Sequence, residues 1–361
     1  MILKKLFSLI VVGCFVAAMF VSTSQAADIT TSASIFSGIL STSNPNPAGG
    51  SWSYPYGKTA GSDDSYSHLE SWFYEAEMKF KSKGETANGW KTYAELEFEL
   101  GQGGKNDFEL EEASANVDFG GFMLSVGILE DWSQDTGAVY NWGISELDTK
   151  FDDESPALRL SLTGNKQLHV DLKLQFAQAT DKDSSGATAI DVKRDETRVQ
   201  AKYNFGMGWV QLIYGSEADV VVNSDVGGDY AYSATKTNVM VKVRFGQIQP
   251  FLSISNLNSK QTAEAAGSAE EDNKMTQTLL GADYFLSATS RITANYMTQS
   301  LDFGGSDPLV ATITGLGASF SFKPVTFVVT YANFANNYSE IDTTGADFKQ
   351  NTIAAAMSYS F

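Results

Sequence analysis

Trp90-Lys91-Thr92-Tyr93-Ala94-Glu95-Leu96-Glu97-Phe98-Glu99-Leu100 is the stretch that decides the fold. Trp90, Thr92, Ala94, Leu96, Phe98 and Leu100 fall on one side, and Lys91, Tyr93, Glu95, Glu97 and Glu99 on the other. Such a period of two belongs to an extended strand, whose successive side chains point to opposite faces. A helix would scatter the three glutamates around its axis. Upstream, Trp72, Tyr74, Ala76, Met78 and Phe80 alternate with Phe73, Glu75, Glu77, Lys79 and Lys81. Downstream the same beat sets His169, Asp171, Lys173 and Gln175 against leucines and valines. It also sets Arg198, Gln200 and Lys202 against Val199, Ala201 and Tyr203, and Lys242 and Arg244 against Val239, Val241 and Val243.

Extended over the chain, this reading yields sixteen candidate strands: 29–40, 68–82, 89–100, 108–119, 121–129, 156–163, 167–179, 194–205, 207–218, 233–245, 247–257, 275–287, 289–303, 310–322, 324–336 and 350–361. Strand 1 is blurred by Ser, Thr and Gly, and Pro250 interrupts the eleventh. Short connections at Lys83–Asn88, Gly120, Gly164–Lys166, Gly206, Gly246, Ala288 and Lys323 alternate with mostly long ones. A β-sandwich has no reason to gather its long loops on one side. An up-and-down barrel in an outer membrane does, with short periplasmic turns and long outer loops.

Composition narrows the class further. The chain has 361 residues, 19% charged, with 43 acids against 25 bases and a formal net charge of −18. An acidic chain repels phosphate, so no nucleic-acid partner is expected. No apolar run outside the N-terminus approaches the ~18 residues of a spanning helix. Lys4 and Lys5, the apolar stretch Leu6–Val21 and Ser24-Gln25-Ala26 make residues 1–26 a signal peptide cleaved after Ala26. Val11-Val12-Gly13-Cys14 also fits a lipoprotein cleavage box. Cys14 is the one cysteine, so an exported chain 27–361 has no disulfide.

The expected architecture is therefore all-β: a 16-stranded antiparallel transmembrane β-barrel. A sheet in hydrocarbon must close to pair its backbone groups, and sixteen strands leave a wet lumen. Glutamates facing that lumen cost little, whereas in a dry core they would cost several kcal/mol each. The expected lumen wall is Glu75, Glu77, Glu95, Glu97, Glu99, Arg159, Lys173, Arg198, Lys202, Lys242 and Arg244. Trp72, Phe80, Trp90, Phe119, Phe122, Tyr284, Tyr359 and Phe361 suit interfacial girdles.

The chain ends Ile353-x-Ala355-x-Met357-x-Tyr359-x-Phe361. This tail resembles the closing strand of Gram-negative outer-membrane proteins, and the resemblance implies that Tyr359 and Phe361 form a signal read by the barrel-assembly machinery. In length and rhythm the whole chain resembles the general porins. Glu111-Glu112-Ala113 to Gly127 is similar to the porin hairpin that leads into the constriction loop. The resemblance implies that 130–155 folds inward and narrows the pore, with Glu130, Asp131, Asp135, Glu146, Asp148, Asp152, Asp153 and Glu154 against Lys150. A constriction lined by one sign of charge enriches the opposite ion, so cations are expected to be preferred. The other reading of this segment is a solvated acidic surface loop. Acids and bases on opposing walls would set up a transverse field; the other reading is that about half of the bases pair with neighbouring acids on adjacent strands. Porins carry their basic cluster on early strands, whereas strands 2 and 3 here hold glutamates.

The function this implies is passive diffusion of small hydrophilic solutes and ions. The partners implied are outer-membrane lipid, lipopolysaccharide and two further copies in a trimer, the last suited by the small outward residues Ala33 and Ser37. A substrate-specific porin, or a plugged structural or adhesive barrel, is the alternative. No catalytic set is expected: G-x-S-x-G and H-E-x-x-H are absent, and the two histidines, His68 and His169, stand far apart. Gly57-Lys58-Thr59 lacks the first P-loop glycine, since position 52 is Trp52. Asp181-x-Asp183-x-Ser185-Gly186 lacks a carboxylate at position twelve, Val192. Neither cofactor nor metal is expected.

Overall fold

Residues 28–43, 68–101, 108–129, 156–182, 188–223, 230–263, 271–302, 308–336 and 349–360 are described by a computed structural model. Sixteen strands follow in order: β1 (Asp28–Ser43), β2 (His68–Glu85), β3 (Lys91–Gly101), β4 (Phe108–Asp118), β5 (Phe122–Ile128), β6 (Pro156–Leu162), β7 (Leu168–Lys182), β8 (Thr188–Asn204), β9 (Gly208–Asn223), β10 (Tyr230–Val243), β11 (Ile248–Ala263), β12 (Glu271–Ser287), β13 (Ser290–Asp302), β14 (Leu309–Phe322), β15 (Val325–Asn336) and β16 (Lys349–Ser360). Each pairs antiparallel with its chain neighbours, and β1 pairs with β16, from Ser34↔Ser360 to Ser43↔Asn351. The sheet is a closed up-and-down barrel. Closure leaves no edge strand to template aggregation.

The seven short connections expected from the sequence all join strands at one end of the ring. In the β4–β5 turn the Gly120 amide donates to Asp118 Oδ1 at 2.8 Å, and Gly120 takes a φ of 89° that an L side chain resists. Around this rim stand exposed aromatics. Trp90 meets Phe119 edge-on at 4.8 Å, and Phe119 stacks on Phe122 at 4.8 Å. Phe245, Tyr284, Phe322 and Tyr359 are exposed near the same end. Between the rims the outer face is apolar: Ile35, Met78, Leu96, Leu172, Leu212, Ile254, Leu316 and Ile353 are all exposed. A closed sheet that is apolar outside belongs in a bilayer, where every backbone group must be paired within the protein.

Parity puts the other set inside. Glu97, Asp171, Lys173, Arg198, Gln211 and Asn238 are buried on the inward face. The inner wall is tight where glycine permits. A Cβ on Gly281 would lie 2.3 Å from Phe251 Cζ and 2.7 Å from Ala294 O, so the phenyl ring occupies that space. Gly281→Ala is expected to lower stability by roughly 1–3 kcal/mol, the usual cost of overpacking. A Phe251→Ala background should relieve only part of it, because the Ala294 carbonyl stays. Urea midpoints of the detergent-folded barrel measure both, and an unchanged midpoint in the single variant would contradict this packing.

Candidate functional site

The interior wall divides into two arcs. The charged arc runs over β2–β8. On β2 and β3, Lys79 Nζ lies 2.5 Å from Glu97 Oε1, and Lys81 contacts Glu95. Glu97 is directly opposite Glu112 on β4, where a bulge passes over Glu111 before pairing resumes at Phe98↔Leu110. One carboxylate oxygen from each of Glu95, Glu97 and Glu112 falls within 4.8 Å of the others. Two lysines already supply counter-charge there, so a hard cation would compete with them for the oxygens.

Two strands further on, Arg159 on β6 is directly opposite Lys173 on β7, which is directly opposite Arg198 on β8. Like charges facing across a sheet repel, and neighbouring groups temper this row. Glu196 Oε1 accepts from Arg198 Nη2 at 2.8 Å and from Nε at 3.1 Å, a forked contact to one oxygen. Lys173 Nζ donates to the Leu129 carbonyl at 3.3 Å. His169 Nε2 sits 3.1 Å from Asp171 Oδ1, and Gln200 donates to Asp171 Oδ2 at 2.9 Å.

Toward the short-turn rim, Lys202 Nζ lies 4.3 Å from the centre of the Trp209 ring, and the Arg244 guanidinium 4.2 Å from that of Phe285. Such cation–ring contacts stabilise by about 1 kcal/mol at exposed positions. Lys242 Nζ is 2.9 Å from Asp283 Oδ2.

The second arc spans β11–β16 and carries an apolar cluster among buried polar side chains such as Ser255, Gln277, Asn295 and Thr330. Leu279, Met297 and Ile313 are directly opposed on β12, β13 and β14 and are almost wholly buried. Phe251, Ala332 and Ala354 complete the cluster, with Phe36, Phe334 and Ala356 packed against it. The sequence reading missed this arc. The one signal for it is that both parities turn apolar in Leu279-Leu280 and Tyr296-Met297, so alternation fades where the two faces are alike.

The expected wall residues fall as follows. Glu77, Glu95, Glu97, Arg159, Lys173, Arg198, Lys202 and Lys242 stand on the inward parity of their strands, and Arg244 follows the end of β10. Glu75 and Glu99 take the register positions opposite Gly101 and Glu109. Tyr359 is exposed on the outer face opposite Val325. Glu130, Asp131, Asp135, Glu146, Asp148, Asp152, Asp153, Glu154 and Phe361, with residues 1–27, lie outside the described residues. On the described wall Lys79 and Lys81 of β2 pair with Glu97 and Glu95 of β3, and Arg198 pairs with Glu196 on its own strand. Residues not foreseen as part of the wall network include Glu112, Glu196, Glu217 and Asp283. Glu217 lies 3.9 Å from Lys236 Nζ.

No family model matches the sequence, and no curated protein does. Solved structures are similar in fold. OmpT in its trimer form, an outer membrane protein of Vibrio cholerae, covers 93% of this chain and 100% of its own at TM-score 0.62 and 12% identity. An anion-selective porin from Comamonas acidovorans covers 93% and 100% at TM-score 0.61 and 12% identity. The outer membrane channel DcaP of Acinetobacter baumannii covers 94% and 99% at TM-score 0.61 and 12% identity. Identity this low carries the fold alone, and that fold is the porin barrel.

Proposed function

We propose that this chain, which has the porin fold, forms a water-filled channel in the outer membrane of a Gram-negative bacterium. Small hydrophilic solutes and ions diffuse through it passively, with no catalytic step and no cofactor. The observation that carries this reading is one ring with lipid-compatible side chains outside and charged, amide and hydroxyl side chains inside. Residues 1–26 direct export, Phe361 and Tyr359 mark the chain for barrel assembly, and three copies associate. The trimer form of the Vibrio cholerae protein and the small outward residues Ala33 and Ser37 on β1 support the last point.

Segment 130–155 is the constriction in this reading. Its support lies at its base: Leu129 is 2% exposed, and its carbonyl is held by Lys173 on the inner wall. Wall carboxylates such as Glu95, Glu97 and Glu196 are paired with wall cations. Ion preference then falls to the eight acids of the segment, which favour cations. The anion-selective protein from Comamonas acidovorans has the same fold, so fold does not set the sign.

Planar-bilayer recording tests both levels. Stepwise conductance is expected, with a reversal potential of cation-selective sign under a potassium chloride gradient. The triple variant Asp152→Asn, Asp153→Asn, Glu154→Gln should move that potential toward zero. No steps from folded protein would defeat the channel; an anion-selective sign would defeat the role given to 130–155. Saturable block by a single solute would favour a substrate-specific porin.

A further inference from the structure

The short connections do not share the charge of the rest of the chain. Five consecutive ones, from β6–β7 to β14–β15, each bring one base to the same rim: Lys166, Lys202, Arg244, Arg291 and Lys323. No Asp or Glu stands in these five connections or within three residues of them. The other two, β2–β3 and β4–β5, set Lys83 and Lys91 beside Glu85 and Asp118. A chain of formal net charge −18 therefore carries a purely basic stretch of rim from β6 to β15.

These bases also lack the counter-charges found deeper in the wall. Lys79, Lys81, Arg198 and Lys242 each sit beside a carboxylate. Among the described residues no carboxylate comes within ion-pair distance of Lys166, Lys202, Arg244 or Lys323. Aromatic rings fix two of them instead, Lys202 over Trp209 and Arg244 over Phe285, and a ring holds a cation without cancelling its charge. Arg244 Nε donates to the Gly246 carbonyl at 3.1 Å, which leaves the two Nη groups to meet an incoming anion.

A cavity of about 530 Å³ opens near the middle of this stretch, between the β8–β9 and β10–β11 turns. Asn204, Trp209, Arg244 and Gln249 line it, and the register makes them neighbours. Asn204 is directly opposite Trp209, Trp209 is opposite Lys242, and Arg244 stands two residues on from Lys242. The β10–β11 pairing continues from Lys242↔Phe251 to Phe245↔Ile248, which sets Arg244 beside Gln249. The rim side is open, since a Cβ on Gly206 or Gly246 would meet nothing within 4 Å.

We infer that this stretch of rim is a docking surface for an extended, acidic polypeptide segment arriving from the periplasm, with one of its carboxylates seated against Arg244 in the cavity. Outer-membrane barrels turn their short connections to that side. Successive bases are two strand spacings apart, roughly 10 Å and somewhat more along a tilted rim. An extended chain rises about 3.3 Å per residue, so a carboxylate at every third or fourth residue meets successive bases. The Asn204 and Gln249 amides, each both donor and acceptor, suit the main chain of such a segment. Two other anionic partners fit less well. Lys202, Arg244 and Arg291 share the parity of the buried Gln200, Lys242 and Thr293, so they face the aqueous mouth rather than the headgroups around the ring. A phosphate chain carries far more charge per length than these spaced bases offset, and the surplus would meet a protein already at −18.

Fluorescence anisotropy on the intact barrel in an uncharged detergent tests the docking with two labelled peptides of five repeats, Gly-Ser-Glu and Gly-Ser-Gln. The glutamate peptide is expected to bind at least about tenfold more tightly at low salt, and to lose that advantage at about 0.5 M salt. The triple variant Lys166→Gln, Arg244→Gln, Lys323→Gln should weaken it by about tenfold, and Asn204→Ala with Gln249→Ala severalfold at unchanged charge. Lys260→Gln, at the long-loop end of β11, should change it by less than about twofold. Equal binding of the two peptides, or a glutamate peptide indifferent to the triple variant, overturns the inference. Inorganic tripolyphosphate that competes more strongly, charge for charge, than the peptide itself would assign the rim to phosphate and overturn it too. Co-purified phosphatidylglycerol lost only in the triple variant would assign the rim to lipid, with the same result. Docking needs only the barrel and its orientation. A protein that binds the peptide but never conducts leaves the docking surface standing and defeats the channel, and a conducting protein indifferent to the peptide does the reverse.

Discussion

Gly127→Ala is expected to cost at least about 3 kcal/mol or to prevent the barrel from closing, although it adds only one methyl group. Gly127 takes a φ of 137°, a conformation that L side chains rarely adopt. Its Cβ would fall 1.9 Å from Ala113 O, 3.0 Å from Ala113 C and 3.1 Å from Ser114 Cα. All three are backbone atoms of the paired strand β4, so no side chain can rotate away. Relief would have to come from separating β4 and β5, and β5 has only seven residues with which to hold its place. Valine should therefore be little worse than alanine, since the first carbon already clashes. Gly121 supplies the control: a Cβ there meets nothing within 4 Å, so Gly121→Ala should change stability by no more than about 0.5 kcal/mol. Urea midpoints and refolding yield in detergent distinguish the two sites. A Gly127→Ala barrel with the Gly121→Ala midpoint would refute the close approach.

The reason such a position hides in the sequence is general to this fold. Alternation of side chains is imposed by the bilayer outside and water inside, so it is legible wherever those media differ. All sixteen strands could be placed from it, and Pro250 sits near the start of β11 with its neighbours still in register, opposite Ala282. Legibility fails where the media are alike. The long-loop ends of the strands run further than alternation suggests: β8 begins at Thr188 rather than 194, β9 reaches Asn223, and β11 continues to Ala263. In Asn256-Leu257-Asn258-Ser259-Lys260-Gln261 both faces are largely polar, so nothing marks the strand, yet backbone pairing continues.

The candidate site shows the same division. Parity alone sets Glu97, Arg159, Lys173 and Arg198 on one face. Their partners depend on stagger between strands, which a single sequence does not carry. The facing of Glu97 and Glu112 requires the bulge at Glu111, and the row Arg159–Lys173–Arg198 requires two register choices. A one-residue slip in either would turn a base toward lipid. The apolar cluster was hidden for the opposite reason: Leu279, Met297 and Ile313 look like lipid-facing residues, and only closure of the ring turns them inward.

Asp283→Ala is expected to destabilise the barrel by about 3 kcal/mol, the low end for removing one partner from a buried ion pair. Asp283 is fully buried on β12. Lys242 Nζ on β10 approaches its Oδ2 at 2.9 Å, and Arg291 Nη1 on β13 approaches the same oxygen at 3.8 Å. Thr293 Oγ1 donates to Oδ1 at 2.6 Å. The lysine contact is an ion pair by distance rather than a well-angled hydrogen bond, since Oδ2 has no hydrogen-bond partner. Its strength is therefore chiefly that of a buried charge held by opposite charges. Arg291 is partly solvated, with 27% of its side chain exposed, so the low end of the range applies. Asp283→Asn keeps an acceptor for Thr293 and should cost less than alanine. The double variant Lys242→Met, Asp283→Leu removes both buried charges and should recover most of the loss, because a matched apolar pair often equals a buried ion pair. Urea midpoints of the four proteins decide it. If the double variant is no more stable than Asp283→Ala, the carboxylate acts through the Thr293 hydroxyl and the β12–β13 backbone, and not as the counter-charge that ties β10 to them.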